Sequence, residues 1–392
     1  MMAGLPESNV DIYSDEILDD PYDCYSNLRE TGPVVHLSRY GFYAIPRYAD
    51  VRAVLGNWQD FTSAKGMAMN DPMNGALMGT VIATDPPEHK RLRSILERPI
   101  APKELAALRA RITQLADGLA ERLVEKGEFD AVTGLAHFLP LAVVSELVGL
   151  PEEGRQRMLT WAAAAFDGMA PLGVPRTQEA LGVMGEMMAY SADPGLPGRL
   201  RPDGWAARLY SAAETGEIAP DQPPVMLQGY LSPSLDTTIF ATTNLVWLFA
   251  RNPDQWSELR RTPALIPRAI NEAIRMESPI QHFSRIATRD VLIDGAPVPA
   301  DARVLVMYGS ANRDDRHYDA PDRFDIRRDN GDHLGFGHAN HMCVGMNLAK
   351  LEITALVQAL LPRVSRFELL EAKRARNNIL RGFEQLRVRA HC

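Results

Sequence analysis

Residues 335–352, GFGHANHMCVGMNLAKLE, set a lone cysteine among glycines just before a segment with helical period. Such a stretch must fold as a tight loop that presents a thiol at a helix start, where unpaired backbone N–H groups point outward. The chain has 3 cysteines, Cys24, Cys343 and Cys392, too few and too scattered for a disulfide framework, so a reducing compartment is expected. A buried structural thiol is the commonest role for a free cysteine. It leaves the company of Phe336, Gly337, His341 and Gly345 unexplained. A Cys–His nucleophile with His341 lacks any local hydrolase signature. A zinc site lacks the CxxC spacing.

The rest of the chain narrows the fold. At 392 residues it is long enough for a large core, and its composition is that of an ordinary globular protein. The formal charge of -8 argues against nucleic-acid binding through bulk positive charge. The acidic N-terminus has no apolar run, so neither signal peptide nor membrane anchor is expected. The most apolar stretch, TTIFATTNLVWLFA, is too short to span a bilayer and predicts a buried helix. A cytoplasmic location is expected.

The segment 21–30 predicts a short helix opened by Asp20 and Pro21. Residues 34–47 alternate around Tyr40-Gly41, which predicts a β-hairpin. Residues 62–84 lack a clean period and predict a long loop. Helical period dominates from DPPEHKRLR onward. Residues 167–200 predict a mobile connection between helices, and about 223–250 predicts one long helix. Helices follow at PDQWSELRR and ALIPRAINEAIRME, then strands at FSRIATRDVLI and APVPADARVLVMYGS. No linker divides the helical and strand-rich parts. The prediction is a single mainly α domain over 1–392, with a minor β part.

A thiolate ligand to haem iron is the fourth reading of Cys343. It demands small neighbours beside the sulfur, and N–H groups at the next helix to spread its charge. The run from Phe336 to Gly345 resembles the haem-binding loop of the cytochrome P-450 family. Ala339 stands where that family usually has Gly, which a negative φ would tolerate. The resemblance extends from about Asp20 to the C-terminus, through DPPEHKRLR, SANRD and NNILRGFEQL. It implies the P-450 fold, haem b, and Cys343 as iron ligand in a haem-thiolate loop over 335–345. Glu272 and Arg275 match the family's ExxR, with Arg323 or His317 as a third partner. His89, Arg93, Arg285 and His341 fall where the family binds the haem propionates, and Phe336 and Gly345 where it cradles the cofactor. Asp236 and Thr237 match the acid–alcohol pair of the distal helix, Thr237 orienting dioxygen and water and Asp236 relaying protons. Pro233-Ser234 replaces two small residues of the family pattern, and Pro233 should distort the helix.

The strongest similarity is to bacterial members that oxidise para-substituted benzoates, by hydroxylation or O-demethylation. By position the pocket walls are Lys65, Met67, Met69, Phe166, Met169, Gln228, Ser232, Ile280, His282, Phe283 and Leu380. Gln228 stands in place of a basic residue, so a phenol, an aryl ether or a larger natural product is also open. The resemblance implies O2 as co-substrate and electrons from NAD(P)H through a ferredoxin reductase and a ferredoxin, with none of these fused to the 392 residues. Lys90, Arg91, Arg98 and Lys350 are candidates for a basic docking patch. A peroxide-driven, radical-coupling or natural-product-tailoring enzyme of the same family is a second reading. A non-enzymatic haem-binding protein is a third.

Overall fold

The computed structural model describes residues 5–392. Its centre is a stack of helices. Pro102–Lys126 packs on Met346–Leu360, and Asp236–Arg251 and Ile266–Met276 pack on each other and on Met346–Leu360. Six strands form one sheet, in the order Glu7–Ser8, Val35–Leu37, Phe42–Ile45, Arg303–Val306, Phe283–Ala287, Phe61–Thr62. The predicted hairpin is its second and third strand, pairing Val35 with Ala44 around Gly41 at φ 70°. Strands Arg366–Arg374 and Phe383–His391 form a long antiparallel pair, extended by Glu128–Asp130.

Four sequence expectations change. The helix expected over 21–30 is Tyr22–Thr31 with Pro21, not Asp20, at its N-cap, and a short helix, Asp15–Asp19, precedes it. The supposed loop 62–84 contains a helix at Asp71–Leu77, capped by the Asn70 side chain on the Met73 N–H at 2.8 Å. The supposed connection 167–200 contains a 17-residue helix, Pro175–Ser191, packed on Glu152–Asp167. The long helix is broken: Gln222–Leu231 ends, residues 232–235 are unwound, and Asp236–Arg251 begins. Pro233 is the physical cause, because it has no N–H for the carbonyl four residues back and its ring clashes there. Ala131–Val148 is a further long apolar helical stretch, of a length and composition that could cross a membrane, with over half its residues buried in the protein. Its first turns pack against Asp236–Arg251.

Glu272 and Arg275 are wholly buried, at 0% side-chain exposure, and pair through two hydrogen bonds of 2.8 and 2.9 Å. The third partner is neither Arg323, which pairs with Asp325, nor His317, which pairs with Asp332. It is Arg328, whose Nε donates to Glu272 at 3.0 Å, and Asn330 Nδ2 adds a bond at 3.2 Å. Burial opposes the Glu272 charge, but Arg275 and Arg328 carry its pKa below the ordinary value. Removing one partner strands a buried charge. Glu272→Gln should cost about 3–5 kcal/mol in urea unfolding at pH 7, and a cost below about 1 kcal/mol would contradict this account. The stabilisation is full above the unfolded-state pKa and is lost as pH falls through the lowered folded value.

Candidate functional site

Cys343 closes a loop built on backbone contacts. Its N–H donates to the Phe336 carbonyl at 2.8 Å, and the Gly337 N–H donates to Leu334 O at 2.8 Å. Gly337 has φ 74°, and a Cβ there would lie 3.0 Å from the His341 carbonyl. The next helix starts at Met346 with Gly345 at its N-cap. A Cβ on Gly345 would sit 4.0 Å from the Cys343 sulfur. The thiol is accessible yet deep in the protein mass. Burial raises its pKa, while the Gly345 and Met346 N–H groups and the Arg93 charge pull the other way. The Phe336 ring is half-buried, with the Lys350 amine 5.1 Å above it.

Ala339 departs from expectation. Its φ is 54°, the left-handed region, where a methyl group crowds the backbone. The loop therefore carries strain that glycine would not.

Four basic side chains converge beside this loop. The His89 and His341 rings lie 4.4 Å apart. Arg93 donates to the loop carbonyls of Asn340 and Met342 at 3.1 and 2.6 Å and pairs with Glu97 at 2.6 Å. Arg285 contacts Met67 Sδ and its neighbour's carbonyl, Ser284 O, at 2.8 and 2.7 Å. Both ring nitrogens of His89 are buried without a partner. Burial lowers the His341 pKa to about 2, with Arg285, His89 and Arg93 adding to the effect. Apart from Glu97 on Arg93, no carboxylate among the described residues bonds to this group. Ser63, which the sequence reading missed, holds His341 Nε2 at 3.1 Å, and its own N–H donates to Asp85 at 3.1 Å. Nothing in the local pattern around Ser63 marks it.

Asp236 is the first residue of its helix and is 7% exposed. Burial raises its pKa to about 7, and Asp167 at the end of Glu152–Asp167 adds to the rise. The Thr237 hydroxyl donates to the Pro233 carbonyl at 3.0 Å.

Of the expected pocket residues, Phe166 and Phe283 stack at 6.5 Å, and Ile280 bridges to Leu380. Gln228 is buried, and Ser232 Oγ lies 3.9 Å from Met187 Sδ. His282 does not join them. It packs edge-on to Tyr13 at 5.6 Å, and burial takes its pKa down to about 3. Met69 shares the separate apolar cluster of Tyr13. Lys65 is exposed. The expected basic patch is largely spent: Arg91 pairs with Glu88, Arg98 with Glu217, and Lys350 is half-buried over Phe336.

Residues 236–387 match the family model described as Cytochrome P-450. The chain is 37% identical to the cytochrome P-450 CYP199A2 of Rhodopseudomonas palustris, covering 98% of this chain and 95% of that one.

The chain belongs to the cytochrome P-450 family.

It is also 30% identical to the linalool 8-monooxygenase of Pseudomonas putida, over 97% of both chains. A solved P-450, CYP109E1 from Bacillus megaterium in complex with testosterone, superposes with a TM-score of 0.86 at 25% identity, covering 97% of this chain and 100% of that one. The chain is thus a haem-thiolate monooxygenase of P-450 fold, a family whose members take a small-molecule substrate, O2 and electrons from redox partners. Its own residues fit haem. An accessible thiol faces helix N–H groups, and the orphaned His89 nitrogens and the surplus of bases suit a dicarboxylate.

Two stability effects test this site. Ala339→Gly should stabilise the protein by about 1 kcal/mol by relieving the left-handed methyl, read as a higher melting midpoint; a lower one would contradict the strain. Asp236 has a folded pKa of about 7, above its unfolded value, so its contribution falls as pH rises between the two. Asp236→Asn should therefore raise the melting midpoint at pH 8, with the gain closing towards pH 4. An equal gain at both pH values would contradict the raised pKa.

Proposed function

We propose that this chain inserts one oxygen atom of O2 into a small aromatic substrate, by hydroxylation or O-demethylation. Cys343 is the residue that ligates the iron, and His89, Arg93, Arg285 and His341 receive the two propionates. Phe336 and Gly345 cradle the ring. Bound there, haem supplies the reductive activation of dioxygen. The Gly345 and Met346 N–H groups hold the thiolate charge in place. Thr237 presents a hydroxyl fixed by the Pro233 carbonyl, and Asp236, titrating near neutrality, gives and regains protons beside it. Phe166, Phe283, Ile280 and Leu380 exclude water and shape an aromatic slot, with Gln228 and Ser232 as its polar contacts.

Electrons come from NAD(P)H through a ferredoxin reductase and a ferredoxin in the cytoplasm. Lys90 and Met342, the latter 42% exposed next to Cys343, mark the docking face. The observation that carries the reading is the Cys343 thiol set against helix N–H groups beside four bases that lack a matching set of carboxylates. The Thr237 hydroxyl bond favours dioxygen use over a peroxide-driven reaction, since only the former needs delivered protons.

The test is product formation from para-methoxybenzoate and para-methoxyphenol with NADH, reductase and ferredoxin. Thr237→Ala should keep substrate binding and NADH oxidation but lower product roughly 10²-fold. Turnover with peroxide alone, insensitive to Thr237→Ala, would contradict the proposal.

A further inference from the structure

The loop that carries Cys343 is held from outside at both ends. At its far end Arg93 donates to the Asn340 and Met342 carbonyls, and Ser63 bonds to His341. Arg93 and His341 are also the side chains proposed for the propionates, so these contacts serve two purposes. The near end carries no such double duty. Among the described residues, one hydrogen bond reaches residues 334–337 from outside the segment 330–345. It is the Leu334 N–H donating to Asn312 Oδ1 at 2.7 Å.

Asn312 is 0% exposed, and its neighbours dictate how the amide points. Ser278 Oγ spends its proton on the Ile274 carbonyl at 3.0 Å, so it accepts from Asn312 Nδ2 at 2.8 Å. Oδ1 is left to face the Leu334 N–H. The Asn312 backbone is fixed as well: its carbonyl takes Arg275 Nη1 at 2.7 Å, and its N–H donates to the Tyr308 carbonyl at 2.9 Å. Leu334 opens the turn Leu334–Phe336, whose last carbonyl takes the Cys343 N–H at 2.8 Å. The turn is seated without slack on the helix Ile266–Met276. A Cβ on Gly335 would lie 2.5 Å from Ile274 Cγ2 and 3.1 Å from the Ile274 carbonyl.

We infer that Asn312 is a positioning residue for the Cys343 sulfur, acting through its Oδ1 alone. Oδ1 holds the Leu334 turn, and the turn holds the Cys343 N–H. The sulfur is thereby kept at the start of the helix Met346–Leu360. Nδ2 ties the same amide to Ser278 at the end of another helix, so the two halves of one side chain have separable effects. The inference rests on Cys343 as the iron ligand. Outer contacts of this kind orient a metal ligand without touching the metal.

The test is the absorption spectrum of the reduced, haem-loaded protein under carbon monoxide, read at fixed pH as the ratio of sulfur-ligated to other ferrous complex. Asn312→Leu should lower that ratio roughly 10-fold. Leu334→Pro deletes the same hydrogen bond from the donor side and should lower it equally. The backbone accepts proline there, because His333 is extended at φ -57°, ψ 148° and Leu334 is the first residue of its turn. Either variant carries the test if the other does not fold. Ser278→Ala strips a buried partner from Nδ2, so it should lower the melting midpoint yet leave the ratio unchanged. An unaltered ratio in Asn312→Leu or Leu334→Pro would overturn the inference. So would an equal loss in Ser278→Ala, which would make the effect one of stability alone. A sulfur-ligated complex absent from the unaltered protein would instead overturn the reading of Cys343, and the inference with it.

Discussion

The structure depends on holding one sulfur at the start of one helix. The Cys343 thiol gains from the N–H groups of Gly345 and Met346, and burial works against its charge. Only a rigid loop can keep that geometry, and the rigidity is imported. Arg275, locked by Glu272, donates to the Asn312 carbonyl at 2.7 Å. The Asn312 side chain then accepts from the Leu334 N–H at 2.7 Å and donates to Ser278 at 2.8 Å. The buried ion pair is thus wired to the root of the cysteine loop through one asparagine. Its value lies in fixing geometry, since burying a charge pair is seldom a net source of stability.

The segment that carries Asp236 and Thr237 is organised by a defect. Pro233 ends one helix, and Asp236 begins the next. The unwound turn leaves the Pro233 carbonyl free to accept from Thr237. A position where the resembled family usually has small residues is filled here by the residue least compatible with a helix, and the Thr237 hydroxyl bonds to the Pro233 carbonyl across the break. Asp236 is held near neutrality by burial and by another acid, with no basic partner bonded to it. The acid is therefore able to change protonation at neutral pH.

Much of this was legible in the sequence because the decisive groups sit in short, rigid spacings. The loop around Cys343, the Glu272–Arg275 pair on one helix face and the Asp236-Thr237 dipeptide each carry their geometry locally. What was not legible depends on long-range closure. Arg328 reaches Glu272 across 56 positions, and Ser63 reaches His341 across 278, so no window of sequence shows either. His282 lies just before the strand that starts at Phe283, and only the packing of the N-terminal segment decides that it faces Tyr13. The helix at Asp71–Leu77 was hidden by its Gly and Met content, and is secured by Asn70, which also donates to the carbonyls of Gly168 and Ala170. Ala339 at positive φ is a case where the loop's demands override residue preference.

The most direct measurement is the absorption spectrum of the reduced, haem-loaded protein under carbon monoxide, for the unaltered chain and for Cys343→His. A sulfur-ligated band in the first that vanishes in the second is the predicted result. A band that is absent from the unaltered protein, or that persists after the substitution, would contradict the account.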